Sequence, residues 1–138
     1  MTPPCPFCLL LDQPDHPARI AELASGIAIL NVDQTYRGRS LLIHRRHVES
    51  LLALSDAEYA RFNDDMRRLT AAVHATVKAE RMNCAALGNV VPHLHWHVIP
   101  RFDDDPNRGG PPWPVSPAPL DGEEAYRRLA GEIARQLC

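Results

Sequence analysis

The sequence predicts an α+β domain in which an antiparallel sheet of about five strands carries a long central helix and a C-terminal helix. Three observations lead there. Residues 55–80 place apolar side chains at intervals of three and four behind a Ser-x-x-Glu start, the signature of a long amphipathic helix. Short apolar runs bounded by turn residues lie on both sides of it, and the run at 93–100 alternates with period two. Strands, helix, strands, helix is an order that packs helices against an antiparallel sheet. With 138 residues, 45 % of them hydrophobic, the chain has material for one core and is read as a single domain over 1–138.

Each element has its own justification. Residues 1–17 are proline-rich and contain Cys5-Pro6-Phe7-Cys8, so they read as an irregular N-terminal segment that a metal would pin. Residues 19–23 and 26–32 are short strands around a turn at Ser25-Gly26, and 40–44 is a third after the polar run 34–39. Residues 51–54 suit a helical turn. Ser55 and Glu58 form a capping box, in which each side chain satisfies a free backbone N–H, and the helix extends to about Glu80. Phe62, Met66, Leu69, Ala72, Val73 and Val77 face inward, leaving Arg61, Asp64, Asp65, Arg67 and Arg68 in water. Residues 82–88 and 93–100 are strands around a turn near Gly88-Asn89. The stretch 103–120 is a proline-rich covering loop, since Pro106 to Pro119 holds six prolines and two glycines. Asp121 and Glu124 repeat the capping-box spacing and open a C-terminal helix over 121–138 through Tyr126, Leu129, Ile133 and Leu137.

Charge and composition exclude several classes. The net charge is −2 and the 15 basic residues are dispersed, which argues against a nucleic-acid partner while allowing a local phosphate pocket. No apolar run approaches the ~20 residues needed to span a bilayer, and the N-terminus lacks the layout of a signal peptide, so no membrane partner and a cytoplasmic location are expected. Of the four cysteines only Cys5 and Cys8 are close in sequence. That pair has three readings: a redox motif, two inert thiols, or half of a zinc site that needs two further ligands.

The alternation His93-Leu94-His95-Trp96-His97-Val98 puts three imidazoles on one face of a strand and the apolar residues on the core face. A solvated face is one explanation. Direct zinc ligation is a second, but the outer two backbones lie roughly 13 Å apart, too far for all three to share an ion without strain. A third makes the middle histidine a nucleophile toward phosphorus: one ring nitrogen attacks while the other holds its proton in a hydrogen bond, and flanking donors stabilise charge on the phosphate oxygens.

His-Leu-His-Trp-His-Val-Ile matches the pattern His-φ-His-φ-His-φ-φ, where φ is apolar, and Pro100-Arg101 trails it. With the N-terminal CxxC, the stretch 38–58, the run 87–92, Asp105-Pro106 and Trp113-Pro114, the chain resembles the histidine-triad (HIT) superfamily of nucleotidyl hydrolases and transferases. The resemblance implies that His95 attacks the α-phosphate and carries the nucleotidyl group. It also implies that His97 contacts phosphate oxygens and helps the leaving group depart, with no metal required for the chemical step. Asn83 and Asn89 match phosphate-positioning residues, Arg39 stands where some relatives have a further histidine and is a candidate phosphate contact, and Asn31 or Asp33 takes the place of a ribose-gripping aspartate. Val90 replaces a common hydroxyl residue. Zinc-bearing relatives complete the CxxC site with residues matching His47 and His93, so a structural zinc on Cys5, Cys8, His47 and His93 is implied. The resemblance further implies a homodimer, with Trp113 bordering a pocket.

The expected activity is release of a nucleoside monophosphate from an adenine or guanine nucleotide bearing a leaving group, as a phosphoramidate, a dinucleoside polyphosphate or an acylated adenylate. A nucleotide-binding sensor or scaffold with little turnover is the competing class, suggested by Val90 and Asn31. His16, His44 and His74 are assigned structural places.

Overall fold

The computed structural model describes residues 3–114 and 116–137. In chain order its elements are α1 (Pro6–Leu11), β1 (Arg19–Glu22), β2 (Gly26–Leu30), β3 (Ser40–His44), α2 (Asp56–Val77), β4 (Arg81–Ala85), β5 (His95–Arg101) and α3 (Glu123–Gln136), with a 3-10 turn at Leu51–Ala53. The five strands form one sheet in the order β1-β2-β3-β5-β4. All neighbours are antiparallel.

The central strands β2 and β3, each with a strand on both sides, are buried along their whole length, the polar Ser40 and His44 included. Gly26 is obligatory at the hairpin, because a Cβ there would lie 1.8 Å from the carbonyl oxygen of Ile43. Helix α2 packs on β3 and β5, and α3 packs on α2, β1 and β2. Phe62, Leu69 and Val73 of α2 meet Leu129 and Ile133 of α3 and Leu42 and Val98 of the sheet in one buried cluster. Each such side chain contributes about 1.5–3 kcal/mol by leaving water. Alternation then sends Leu41, His95 and His97 to the opposite face, where no long helix lies.

Several expectations need correction. The N-terminal segment is not irregular throughout: Pro6, with no N–H to satisfy, occupies the first turn of α1 and starts a helix. The capping box at Ser55 and Glu58 forms, but α2 stops at Val77, where Lys78 turns left-handed with φ 55° and donates its N–H to the His74 carbonyl. Asp65 is not in water. It is buried, and its Oδ2 accepts from the Ser25 N–H at 2.8 Å and the Ser25 hydroxyl at 2.7 Å, holding the β1–β2 turn against the helix. No capping box opens α3, whose cap is Gly122 at φ 89°. Strand β4 ends at Ala85, and β5 begins at His95 and not at His93, because the backbone of Leu94 bonds instead to Val48 and His44. Among the described residues no helix is long and apolar enough to cross a membrane.

Candidate functional site

The site begins with the tautomer of His95. Its Nδ1 lies 2.6 Å from the backbone carbonyl oxygen of His93. A carbonyl only accepts, so Nδ1 carries the proton and Nε2 carries a lone pair. His95 Nε2 faces His97 Nε2 at 3.2 Å. On the far side of His97, Nδ1 lies 3.3 Å from Nη2 of Arg39. A guanidinium only donates, so the His97 proton sits on Nε2 and points at His95. The chain Arg39, His97, His95, His93 carbonyl therefore has a single consistent direction of donation. Burial lowers the pKa of His95, and burial, then the neighbouring His95 and the Arg39 cation, lower that of His97 to about 4. Both rings are neutral near pH 7.

These groups stand at one end of a cleft of about 510 Å³, a volume suited to a small organic ligand. Phe7 and Leu10 of α1, Ile29 of β2 and Leu41 of β3 form an apolar wall. Arg39, Asn31, Asn89, His16, His95 and His97 are its polar lining, and exposed Val90 borders it. Phe7 also packs edge-on against His95, with ring centroids 4.7 Å apart. Gly88, at φ +67°, turns the chain so that 89–91 rim the cleft.

The remaining expected site residues are placed differently. Asp33 does not line the cleft: its Oδ1 accepts from the Thr35 N–H and hydroxyl and from the Ala118 N–H, and its Oδ2 is 3.5 Å from Arg39. These bonds hold its carboxyl below the usual range although burial opposes them. Asn83 lies beyond the cleft, where its Oδ1 accepts from Arg101 at 2.9 Å. Arg101 there also binds Asp105 through two nitrogens and staples the loop after β5. Trp113 packs edge-on to His97 of its own chain at 6.5 Å.

Sequence reasoning missed Phe7, Leu10 and His16 as lining residues. The spacing of Phe7 and Leu10 behind Pro6 was a readable signal for a helix with one apolar face; His16 carried none. His16 accepts the Ala18 N–H on Nδ1 at 3.1 Å. His44 is structural, buried against Phe62, and His74 is exposed.

A second cluster adjoins the cleft. Cys5, Cys8, His47 and His93 offer ligand atoms that all lie within 4.8 Å of one another. Nδ1 of His93 is 3.5 Å from Cys5 Sγ and 3.6 Å from Cys8 Sγ, and Nδ1 of His47 is 3.4 Å from Cys8 Sγ. A tetrahedral ion with bonds of about 2.0–2.3 Å spaces its ligands by about 3.3–3.8 Å, so the donor set fits. His93 Nε2 meets the His44 carbonyl at 2.7 Å, which puts its proton there and turns the Nδ1 lone pair toward the thiols, the orientation of a metal-ligating histidine.

A family model described as the HIT domain matches residues 16–104. The chain belongs to the HIT domain family. An adenosine 5′-monophosphoramidase from Schizosaccharomyces pombe is 27 % identical over 136 residues, covering 96 % of this chain and 98 % of that protein. A histidine triad protein from Sinorhizobium meliloti superposes with a TM-score of 0.79 at 29 % identity over 86 % of this chain and 87 % of that one. A zinc-bound histidine triad family protein from Mycobacterium smegmatis shares the fold, with a TM-score of 0.73 at 24 % identity over 96 % and 92 % of the two chains.

Proposed function

We propose that this HIT domain protein is a nucleotidyl hydrolase acting through a covalent nucleotidyl-histidine intermediate. The observation that carries the reading is the His95 tautomer, with Nδ1–H held by the His93 carbonyl and an unprotonated Nε2 lining the cleft beside His97 Nε2–H. Nε2 attacks the α-phosphorus, the bond from phosphorus to the leaving group breaks, and the leaving group departs with the electron pair. Water then attacks the same phosphorus, the bond to Nε2 breaks, and the nucleoside monophosphate leaves with a proton released to solvent. His97 Nε2–H and Asn89 donate to phosphate oxygens, and the apolar wall of Phe7, Leu10, Ile29 and Leu41 holds the base. Candidate substrates are nucleoside phosphoramidates and dinucleoside polyphosphates. Support for a hydrolase also comes from the activity named for the Schizosaccharomyces pombe relative.

Cys5, Cys8, His47 and His93 are the residues that would hold a structural zinc, which supplies no chemistry to the reaction and joins α1 to the approach to β5. A homodimer is proposed on the face where β4 is a sheet edge and where Asn63 Oδ1 and Trp96 Nε1 are buried without partners among the described residues.

The test is rapid quenching of the protein during turnover of an adenosine phosphoramidate and of a diadenosine polyphosphate, followed by mass spectrometry. An AMP adduct on His95 is expected. Nucleotide binding with neither adduct nor AMP release would favour a sensor, for which exposed Val90, offering the cleft no hydroxyl, is the encouraging feature.

A further inference from the structure

Arg39 lines the cleft and meets His97. It enters from the start of β3, its side chain is 12 % exposed, and it divides its donors between Asp33 on one side and His97 on the other. Asp33 is itself fastened by Thr35 and Ala118, so the guanidinium is fixed in place. Arg39 cannot take a proton from His97 Nδ1, and by occupying that lone pair it opposes a second proton on the ring. A neutral imidazole that gave up its Nε2 proton would be left an anion. It therefore donates a hydrogen bond without surrendering the proton.

We infer that Arg39 restricts His97 to hydrogen-bond donation, so that the cleft selects leaving groups that depart as oxyanions, phosphate or carboxylate, over amines. This rests on the nucleotidyl-hydrolase reading and names the substrate class within it: a mixed anhydride of the nucleotide α-phosphate. When Nε2 of His95 bonds to phosphorus and the P–O bond of an anhydride breaks, the leaving oxygen takes the electron pair as a stable anion and needs no proton. When a P–N bond breaks, the nitrogen must acquire a proton as it leaves, and His97 is held in the form that does not supply one. The Arg39 charge acts in the same direction, because a cation at the cleft wall favours developing negative charge. Arg39 is thus a positioning residue acting through His97.

The experiment compares kcat/KM for diadenosine tetraphosphate and adenosine 5′-phosphoramidate in the wild-type protein, Arg39→His and Arg39→Lys. The wild type is expected to prefer the anhydride by tenfold or more. Arg39→His, whose imidazole exchanges protons with His97, is expected to reduce that preference at least tenfold, and Arg39→Lys, still a cationic donor, to keep it within about threefold. A loss of folded protein lowers both rates together and leaves the ratio in place. Independently of any variant, the 15N spectrum of the His97 ring in the wild type at pH 7 is expected to show a proton on Nε2 alone. Equal wild-type rates on the two substrates, a ratio unmoved by Arg39→His, or a His97 ring protonated on Nδ1 would each overturn the inference while leaving the hydrolase reading standing. Turnover of neither substrate would sink both.

Discussion

His93 and His95 stand two residues apart and are suited to opposite work. His93 gives its Nε2 proton to the His44 carbonyl and aims Nδ1 at two thiols and a third imidazole in a closed cluster. His95 gives its Nδ1 proton to the His93 carbonyl and aims Nε2 at an open cleft. The rings are chemically identical, and the carbonyl each one finds decides which nitrogen is left to act. The teaching of the pair is that an imidazole's role is set by the hydrogen bond on its idle side.

The sharpest way to break this contrast is to remove one ring at a time. His95→Ala should cut nucleotide turnover by on the order of 10³-fold or more, the scale seen when a nucleophile is deleted, while zinc content by elemental analysis stays stoichiometric. Metal loss in that variant would mean that the two ends are not separate. Cys5→Ser attacks the other end: bound zinc should fall well below one per chain and the thermal midpoint drop by on the order of 10 °C, since metal binding between distant segments is folding free energy. An unchanged midpoint would mean that no metal holds α1 in place.

Acid titration sharpens the contrast at the cleft end. The folded pKa of His97, about 4, lies below its ordinary value of 6.5, so the unfolded chain binds the extra proton between those values and stability falls as pH drops through that window. Replacing the ring in His97→Gln should flatten that acid limb by about 1–3 kcal/mol in urea titrations at pH 4.5 against pH 7. An acid limb of the same slope in the variant would place the proton uptake elsewhere. The smallest effect concerns Phe7, whose edge contacts with His95 at 4.7 Å and His93 at 6.0 Å bridge the two ends. Phe7→Leu should cost about 1 kcal/mol of stability and lower kcat a few-fold while retaining the metal. Unaltered kcat would show that α1 pins the fold without shaping the surroundings of His95.

Much of this was legible from the chain. Residues 40–44 read as a strand and form one over those same residues, and the Ser55–Glu58 box is present with both of its bonds. The matching spacing at Asp121 and Glu124 failed because Gly122 stands at the cap with a backbone that brings no side chain to the helix end. Alternation identified the face of His95 and His97 correctly, but it describes residues only within a strand. His93 lies outside β5, where the turn through Val91 and the bonds of Leu94 to Val48 and His44 direct it.

Residue order was sufficient to establish most of the helix and strand pattern and the imidazole row, because those follow from local periodicity and from which chemical groups are present. The partners of the two thiols came only from the family resemblance. Tertiary contact alone settled which nitrogen of each ring carries its proton, that Arg39 reaches His97 across 58 positions, that Asp33 holds the covering loop and Asn83 holds Arg101, and that α1 closes one wall of the cleft. The reason is that a hydrogen bond is assigned by distance and direction, and these partners come from segments whose spacing along the chain says nothing about their spacing in the fold.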